Sequence, residues 1–292
     1  MTATLEVQEI GRSALQRWLP QLDAWLLPGA FYGVQHTWPQ LYRSDGHGRF
    51  FVLVDGDRLV SHCAVRTVGL VTAAGPRVVN LLGSVVTDPA ARGRGHASAV
   101  LSKALAATAA AAPCTLLWAE HPTLYARAGF VAGAPETCVW LARRPRREPA
   151  TLRLATLQDH PELTRLHAQK PWRVERAPQV MSGLLTTPGL ATVVLERDGR
   201  PVAYACCGKG ADLQGHWHEL GGTDEDLAVL LPAALHLLEQ TEAAVLLPPY
   251  RPDLAELLGP HVVGTTELQG PMRHLAPGVE LPACWIDGLD SV

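Results

Sequence analysis

The chain has 292 residues, room for about two domains of ordinary size. A hydrophobic content of 47% supplies packed cores and excludes a disordered chain, while 25 Lys and Arg against 28 Asp and Glu leave no field to gather nucleic acid or coat an anionic membrane. No apolar run approaches the roughly 20 residues that span a bilayer, and MTATLEVQEIGRS lacks the basic and apolar stretches of a secretory signal, so the expected setting is the cytoplasm.

The first half opens with a short alternating segment, LEVQEI. A helically spaced run, RSALQRWLPQLDAWLLPG, follows and ends in Pro-Gly, and a second helical patch lies around VQHTWPQLYRSDG. Two β-rich runs flank Asp55-Gly56-Asp57, a hairpin signal. VVNLLGSVV is a third apolar run. From about Gly95, HASAVLSKALAATAAAA has the composition of a strong helix, stopped by Pro113. CTLLWAE reads as a short buried strand, HPTLYARAG as a short helix ending in Gly129, and ETCVWLAR as a last strand.

Arg143-Arg144-Pro145-Arg146-Arg147-Glu148-Pro149 is too charged to bury and reads as a solvated linker, giving units of 1–142 and 151–292 around a linker at 143–150. The second half repeats the order of the first. TLRLATLQDHPELTRLHAQ reads as strand, Asp cap and helix. A hairpin surrounds Arg197-Asp198-Gly199, and WHELGG, a helix in DEDLAVLLPAALHLLEQ, a strand AAVLLPP and a helix in RPDLAELLG complete it. A duplicated α+β unit accounts for this order. The six cysteines (Cys63, Cys114, Cys138, Cys206, Cys207 and Cys284) show no CxxC pair and sit mostly in apolar windows, as buried hydrophobes do. Only Cys63, beside His62, has a neighbour suited to a reactive thiol.

The stretch that carries chemistry is Thr87-Asp88-Pro89-Ala90-Ala91-Arg92-Gly93-Arg94-Gly95-His96-Ala97-Ser98, which leaves a strand and enters the long helix. A helix start exposes about four unsatisfied N–H groups and a partial positive charge, so it suits a phosphate. Gly93 and Gly95 let the backbone approach an anion, and Arg92 and Arg94 add forked donors. The Walker A ending is absent, as are the three glycines of the dinucleotide fingerprint.

Arg92-x-x-Gly95-x-Ala97 resembles the pyrophosphate loop of the GNAT acetyltransferase superfamily. Asp88-Pro89 ahead of it, and Tyr125-Ala126-Arg127-Ala128-Gly129-Phe130 about thirty residues later, match the family's spacing. The resemblance covers about residues 1–145. It implies two tandem GNAT-like domains, each a mixed, mostly antiparallel sheet flanked by helices, the second degenerate. It further implies acetyl-CoA as cosubstrate. Arg92, Gly93, Arg94, Gly95, His96, Ala97 and Ser98 would then hold the pyrophosphate, and Val85, Val86 and Thr87 would pair with the pantetheine arm. Tyr125 takes the place of the family's acid for the departing thiolate.

The implied acceptor is an amine of a small molecule, of which only about 0.1% is neutral at pH 7, so its proton must go somewhere. Many relatives use a Glu in the strand before the loop, and VVNLLGSVV has none. Glu120, at the end of the next strand, is the first candidate base, with His62, His121 and water as alternatives. In the second half Gly221-Gly222-Thr223-Asp224-Glu225-Asp226 places three carboxylates at a helix start, which repel a pyrophosphate, so one coenzyme per chain is expected. The second unit then shapes the acceptor groove or mediates contacts with a second copy. On a strand, His216 and His218 share one face and Trp217 and Glu219 the other; with no third ligand evident, no metal is expected. The competing reading is a noncatalytic acyl-CoA-binding sensor or scaffold. Amino-acid transfer from tRNA lacks the basic surface that RNA requires.

Overall fold

The computed structural model describes residues 5–43, 46–144, 151–209 and 213–292. After β1 (Val7–Ile10), the helically spaced run is interrupted: α1 (Arg12–Leu15) passes through a 3-10 turn into α2 (Leu19–Leu26), whose second residue, Pro20, brings no N–H to the preceding turn. α3 (Val34–Thr37) and α4 (Pro39–Tyr42) part at Trp38, which precedes a proline and sits outside the helical region at φ −124°, ψ 66°. The hairpin of β2 (Arg49–Asp55) and β3 (Arg58–Thr72) turns at Gly56 with φ 60°. β4 (Gly75–Thr87) returns along β3, and α5 (His96–Thr108) crosses to β5 (Cys114–Leu117). α6 (Pro122–Arg127) and β6 (Glu136–Ala142) follow.

The second half runs β7 (Leu152–Leu154), α7 (His160–Ala168), β8 (Arg173–Val174) and α8 (Pro178–Leu185). Its hairpin joins β9 (Ala191–Arg197) to β10 (Arg200–Cys207) through Asp198 and Gly199, both at positive φ as a primed turn requires. β11 (His216–Gly221), α9 (Asp224–Leu237), β12 (Glu242–Leu247), α10 (Pro252–Leu258), β13 (Val262–Leu268) and β14 (Met272–Leu275) complete it.

The strands form two sheets. The first has the order β1-β2-β3-β4-β5-β14, with β8 on β3, and the second β13-β6-β12-β11-β10-β9-β7. Among the described residues only β4–β5 and β11–β12 are parallel, so each sheet is mixed and mostly antiparallel. Alternation buries both faces. Phe50, Val52 and Ala64 pack under Leu15, Leu22 and Leu41, while Phe51, Cys63 and Val65 meet Val100, Leu101 and Ala104 of α5. In the second sheet Val193, Ala203 and Trp217 pack on α9, and Val194, Tyr204 and Cys206 on α7 and α8.

The sheets do not divide the chain at the expected linker, of which residues 145–150 lie outside the described residues. β6, from the first half, pairs with β12 on one edge and β13 on the other. β14, from the second half, pairs with β5 in the first sheet. The crossover therefore lies between α6 and β6, ahead of the arginines.

Beyond β14 the chain is latched to both sheets by charges out of reach of water. Glu219 on β11 accepts hydrogen bonds from Lys170 (2.5 Å), Arg176 (2.8 Å) and the Tyr204 hydroxyl (2.8 Å). Lys170 also donates to Asp287 (3.0 Å), and Asp290 accepts from Arg176 (2.6 Å) and from Arg66 of β3 (3.0 Å). Burial works against the ionised form of Glu219, but the Arg176 and Lys170 charges carry its pKa well below the carboxylate range. Asp290 is likewise lowered by Arg176 and Arg66 against the effect of burial. Asp287, raised by burial and by the Glu219 charge, is the strained member. Such a network fixes geometry because any one member left alone would be an unpaired charge in an apolar medium.

A fragment of residues 1–142 would leave both edges of β6 bare and β5 without β14. It is expected to be insoluble or unfolded, as judged by expression and circular dichroism, whereas the full chain gives a cooperative unfolding transition.

Candidate functional site

β4 and β5 pair only at Asn80↔Thr115 and Leu81↔Leu116 and then part. From Gly83 to Thr87 the far edge of β4 has no strand beside it among the described residues, so Val85 and Thr87 present main-chain groups to an open V, whereas Val86 is paired with His62 and turns its groups to β3, its carbonyl accepting from Ser61 Oγ (3.1 Å). A bulge sets the angle. His62 pairs with Val86 and Ala64 with Gly83, so Cys63 alone opposes Ser84 and Val85, and Ser84 takes φ 53°. The Ser84 carbonyl accepts a hydrogen bond from His62 Nδ1 (2.9 Å). At the apex the Val292 main-chain oxygen would lie 2.0 Å from a Cβ on Gly83, so glycine is needed for the C-terminal segment to reach this point.

The V leads into the glycine loop. Asp88 accepts from the Ala90 N–H (2.8 Å) and pairs with Arg58; these bonds, the Arg58 one foremost, hold its carboxyl below its usual pKa and fasten the turn. Arg92 Nε reaches back to the Thr87 carbonyl (3.4 Å). Gly93 and Gly95 take φ 78° and 80°, which other residues adopt only with strain. Arg92, Gly93, Arg94 and Gly95 are exposed, and His96 and Ala97 half-buried. α5 starts at His96 with no side-chain cap on its first amides, so the N–H groups of its first turn, Ser98 included, face outward at the end of the V.

Tyr125 on α6 shares an apolar cluster with Val85 and Ala119, packed edge-on against Phe130. Burial first, then the charges of Cys63 and Glu120, push its hydroxyl up to about 12. The structure thus brings Tyr125, Val85 and Glu120 to one mouth. Glu120 is exposed there, and His121, also exposed, precedes α6. His62 lies beneath the sheet, fully buried and stacked with Tyr42 and Phe50, with its pKa lowered by burial to about 4. Cys63 is buried on the opposite face with its thiol pKa raised, so it is an inert core residue.

The second sheet repeats the V with different side chains around it. β11 and β12 pair only at His216↔Ala244 and Trp217↔Val245. α9 is capped by Thr223, whose hydroxyl accepts from Asp226 N–H (3.2 Å), and Arg251 closes the mouth by donating to the Gly222 carbonyl (3.0 Å) and Asp224. α10 answers to α6: PTLYARAG and PDLAELLG have the same length from Pro122 and Pro252 to Gly129 and Gly259, and Ala255 stands where the first copy has Tyr125.

One expected pattern is corrected here. Trp217 and Glu219 do not share a face, because Cys206 pairs with Glu219 and Cys207 with Trp217, leaving His218 as a bulge residue. Trp217 packs under α9, and Glu219 turns to the opposite side, into the charge network. His216 lies beside Trp140, and His218 is buried against Gly288. His167, Glu219 and Asp287 have ligand atoms within 4.8 Å of one another, but the Lys170 ammonium bridges the two carboxylates, so the cation seat there is taken by a side chain.

Sequence reasoning missed the C-terminal segment, the charge network and the Gly83–Ser84 bulge. A lone glycine inside an apolar strand was the available signal for the last of these.

Residues 23–133 match the family described as the acetyltransferase (GNAT) domain. The chain carries a GNAT domain, and its fold as a whole is that of two GNAT-like units. A probable N-acyltransferase from Enterococcus faecalis V583, a conserved protein of unknown function, superposes with a TM-score of 0.73 at 15% identity, over 94% of this chain and 73% of that one. A GCN5-related N-acetyltransferase from Kribbella flavida gives 0.66 at 16% identity, over 93% and 71%. Eis1 from Mycobacterium abscessus gives 0.62 at 14%, over 92% and 73%. At such identities the likeness is one of fold. No protein with a curated description matches the sequence.

Replacing Gly83 by alanine would drive a methyl group into the Val292 main chain. The expected outcome is a loss of roughly 1–3 kcal/mol of stability, in the range of overpacked cores, measured by chemical denaturation.

Proposed function

We propose that this protein is an acetyl-CoA-dependent N-acetyltransferase that passes the acetyl group directly to the amine of a small molecule in a ternary complex. The observation that carries the reading is the unpaired edge of β4 running into a glycine loop at the uncapped start of α5. An extended amide-bearing arm fits the first, and a diphosphate fits the second. In this reading the backbone N–H groups of residues 93–98 and the guanidinium groups of Arg92 and Arg94 hold the diphosphate. Main-chain groups of Val85 and Thr87 pair with the pantetheine amides and polarise the thioester oxygen.

The chemistry then needs a proton at sulfur and none at nitrogen. The amine nitrogen bonds to the thioester carbon, the carbon–sulfur bond breaks, and its electron pair stays on sulfur. Tyr125 supplies the proton, since burial keeps its phenol protonated far above neutrality. Glu120, exposed at the same mouth, receives the amine proton directly or through water. His62 is neutral and sealed under the sheet, so it is a poor store for that proton. The second unit has Ala255 in place of the phenol and Arg251 across its mouth, which supports a single coenzyme and a single reaction centre per chain.

The setting we propose is the cytoplasm. The six cysteines are free, and no helix among the described residues is long and apolar enough to cross a membrane.

Thiol release over a panel of amines tests the reaction, with Tyr125→Phe expected to be about 10–1000-fold slower in kcat, the cost of a lost proton donor, and near-wild-type turnover removing Tyr125 from the role. Because the donor form persists, activity is expected to rise with pH as the amine deprotonates, with no fall due to Tyr125 below about pH 11, a unit under its pKa. Calorimetry tests the seat: Arg92→Ala with Gly95→Asp is expected to weaken acetyl-CoA binding roughly 100-fold, through the loss of one charge-assisted contact and the repulsion of a carboxylate set beside the diphosphate. Unchanged affinity would overturn the assignment.

A further inference from the structure

The sheet at the V has a second face, away from Tyr125. The side chain of Val85 shares the Tyr125 cluster, whereas that of Val86 packs on the other side, in a cluster that Leu26 and Val292 also join. Trp118, the first residue beyond β5, lies on this second face. It packs against a cluster containing Leu81 and Leu116, the last pair before the strands part, and Val292 packs against the same cluster. The indole thus stands beside the opening of the V, half-buried. Its Nε1–H is turned to Glu136, the first residue of β6, and donates to both carboxylate oxygens (3.3 and 3.4 Å).

Glu136 is itself half-buried, and no cation pairs with it among the described residues. Burial, opposed by the Trp118 hydrogen bond, pushes its carboxyl up to about 7. The nearby Cys284 is a thiol whose own pKa is raised to about 11, so it brings no charge. Elsewhere the chain treats buried carboxylates differently. Asp159, Glu219, Asp287 and Asp290 each have a lysine or arginine nitrogen at 3.0 Å or less. A desolvated carboxylate without such a partner is costly, and a cation arriving from outside relieves that cost.

We propose that Glu136 and the face of Trp118 form a cation subsite of the acceptor groove, and that the acceptor is an amine bearing a second positively charged nitrogen on an apolar stem; this rests on the N-acetyltransferase reading above. The reacting nitrogen lies in the V, the stem lies along the indole, and the second nitrogen sits at Glu136. An indole is the aromatic face that best attracts a cation, so it complements the carboxylate. Glu136 determines specificity in this arrangement, and Glu120 keeps the role of proton acceptor.

Glu136→Gln separates charge from structure. Its amide oxygen still accepts from Trp118, and an uncompensated charge is removed, so the variant is expected to fold. Thiol release from acetyl-CoA is measured at about pH 8, a unit above the Glu136 pKa, where the carboxylate is ionised and alkylamines remain cations. The probes are 1,4-diaminobutane and 1,6-diaminohexane against butylamine and hexylamine, which have the same stems and one nitrogen.

In wild type, kcat/KM for at least one diamine is expected to exceed that of its monoamine by about tenfold or more, through KM, as a charge-assisted contact supplies. In Glu136→Gln the preference is expected to fall to about twofold or less, whereas Glu120→Gln, which slows both amines, keeps it. No preference in wild type, a folded Glu136→Gln that retains it, or its loss in Glu120→Gln would each overturn the proposal. Calorimetric titration of the diamines in the presence of coenzyme A is the second readout. Diamine binding that Glu136→Gln abolishes, in a protein that acetylates no amine, would remove the acetyltransferase reading and leave the cation subsite standing.

Discussion

The parting of β4 from β5 after Leu81 is the constraint on which the site depends. A strand edge in the middle of a sheet carries donors and acceptors that must be satisfied by something, and here neither β5 nor any other strand does so. The bulge at Ser84 holds the edge open, and the Asp88–Arg58 pair turns the chain directly into the glycine loop. The opening is therefore a product of backbone geometry. Side chains enter at its borders, as Tyr125 at the mouth and the C-terminal segment at the apex.

The two units share this constraint and differ in the side chains placed around it. Both units keep the parallel strand pair, the helix that follows and the short Pro-started helix beyond. In the second unit a threonine caps the helix, an arginine closes the mouth and an alanine stands in place of the tyrosine. The exchange of β6 and β14 between sheets interleaves the two copies, and the buried charges around Glu219 carry the C-terminal segment from the second sheet to Gly83 in the first.

What could be read from the sequence was what local chemistry decides. The Asp55-Gly56-Asp57 and Arg197-Asp198-Gly199 turns, the helix stopped before Pro113, and the loop at 92–98 each have their cause within a few residues. Partner choice does not. ETCVWLAR reads as a strand from its own composition, but nothing in it says that it pairs with β12 and β13 across the expected linker. The side reversed by the bulge at His218 was likewise invisible to a two-residue period. Lys170 and Arg176 stand in a polar stretch that resembles solvated surface, and Asp287 and Asp290 are isolated carboxylates in a short C-terminal run. Only their convergence, over separations of more than a hundred residues, makes them a core.

A crystal structure of the protein with acetyl-CoA tests the central claim most directly. The account predicts the diphosphate against the main-chain N–H groups of residues 93–98, the pantetheine arm along Val85–Thr87, and the sulfur facing the Tyr125 hydroxyl. Coenzyme bound elsewhere, with the V and the glycine loop left empty, would contradict it.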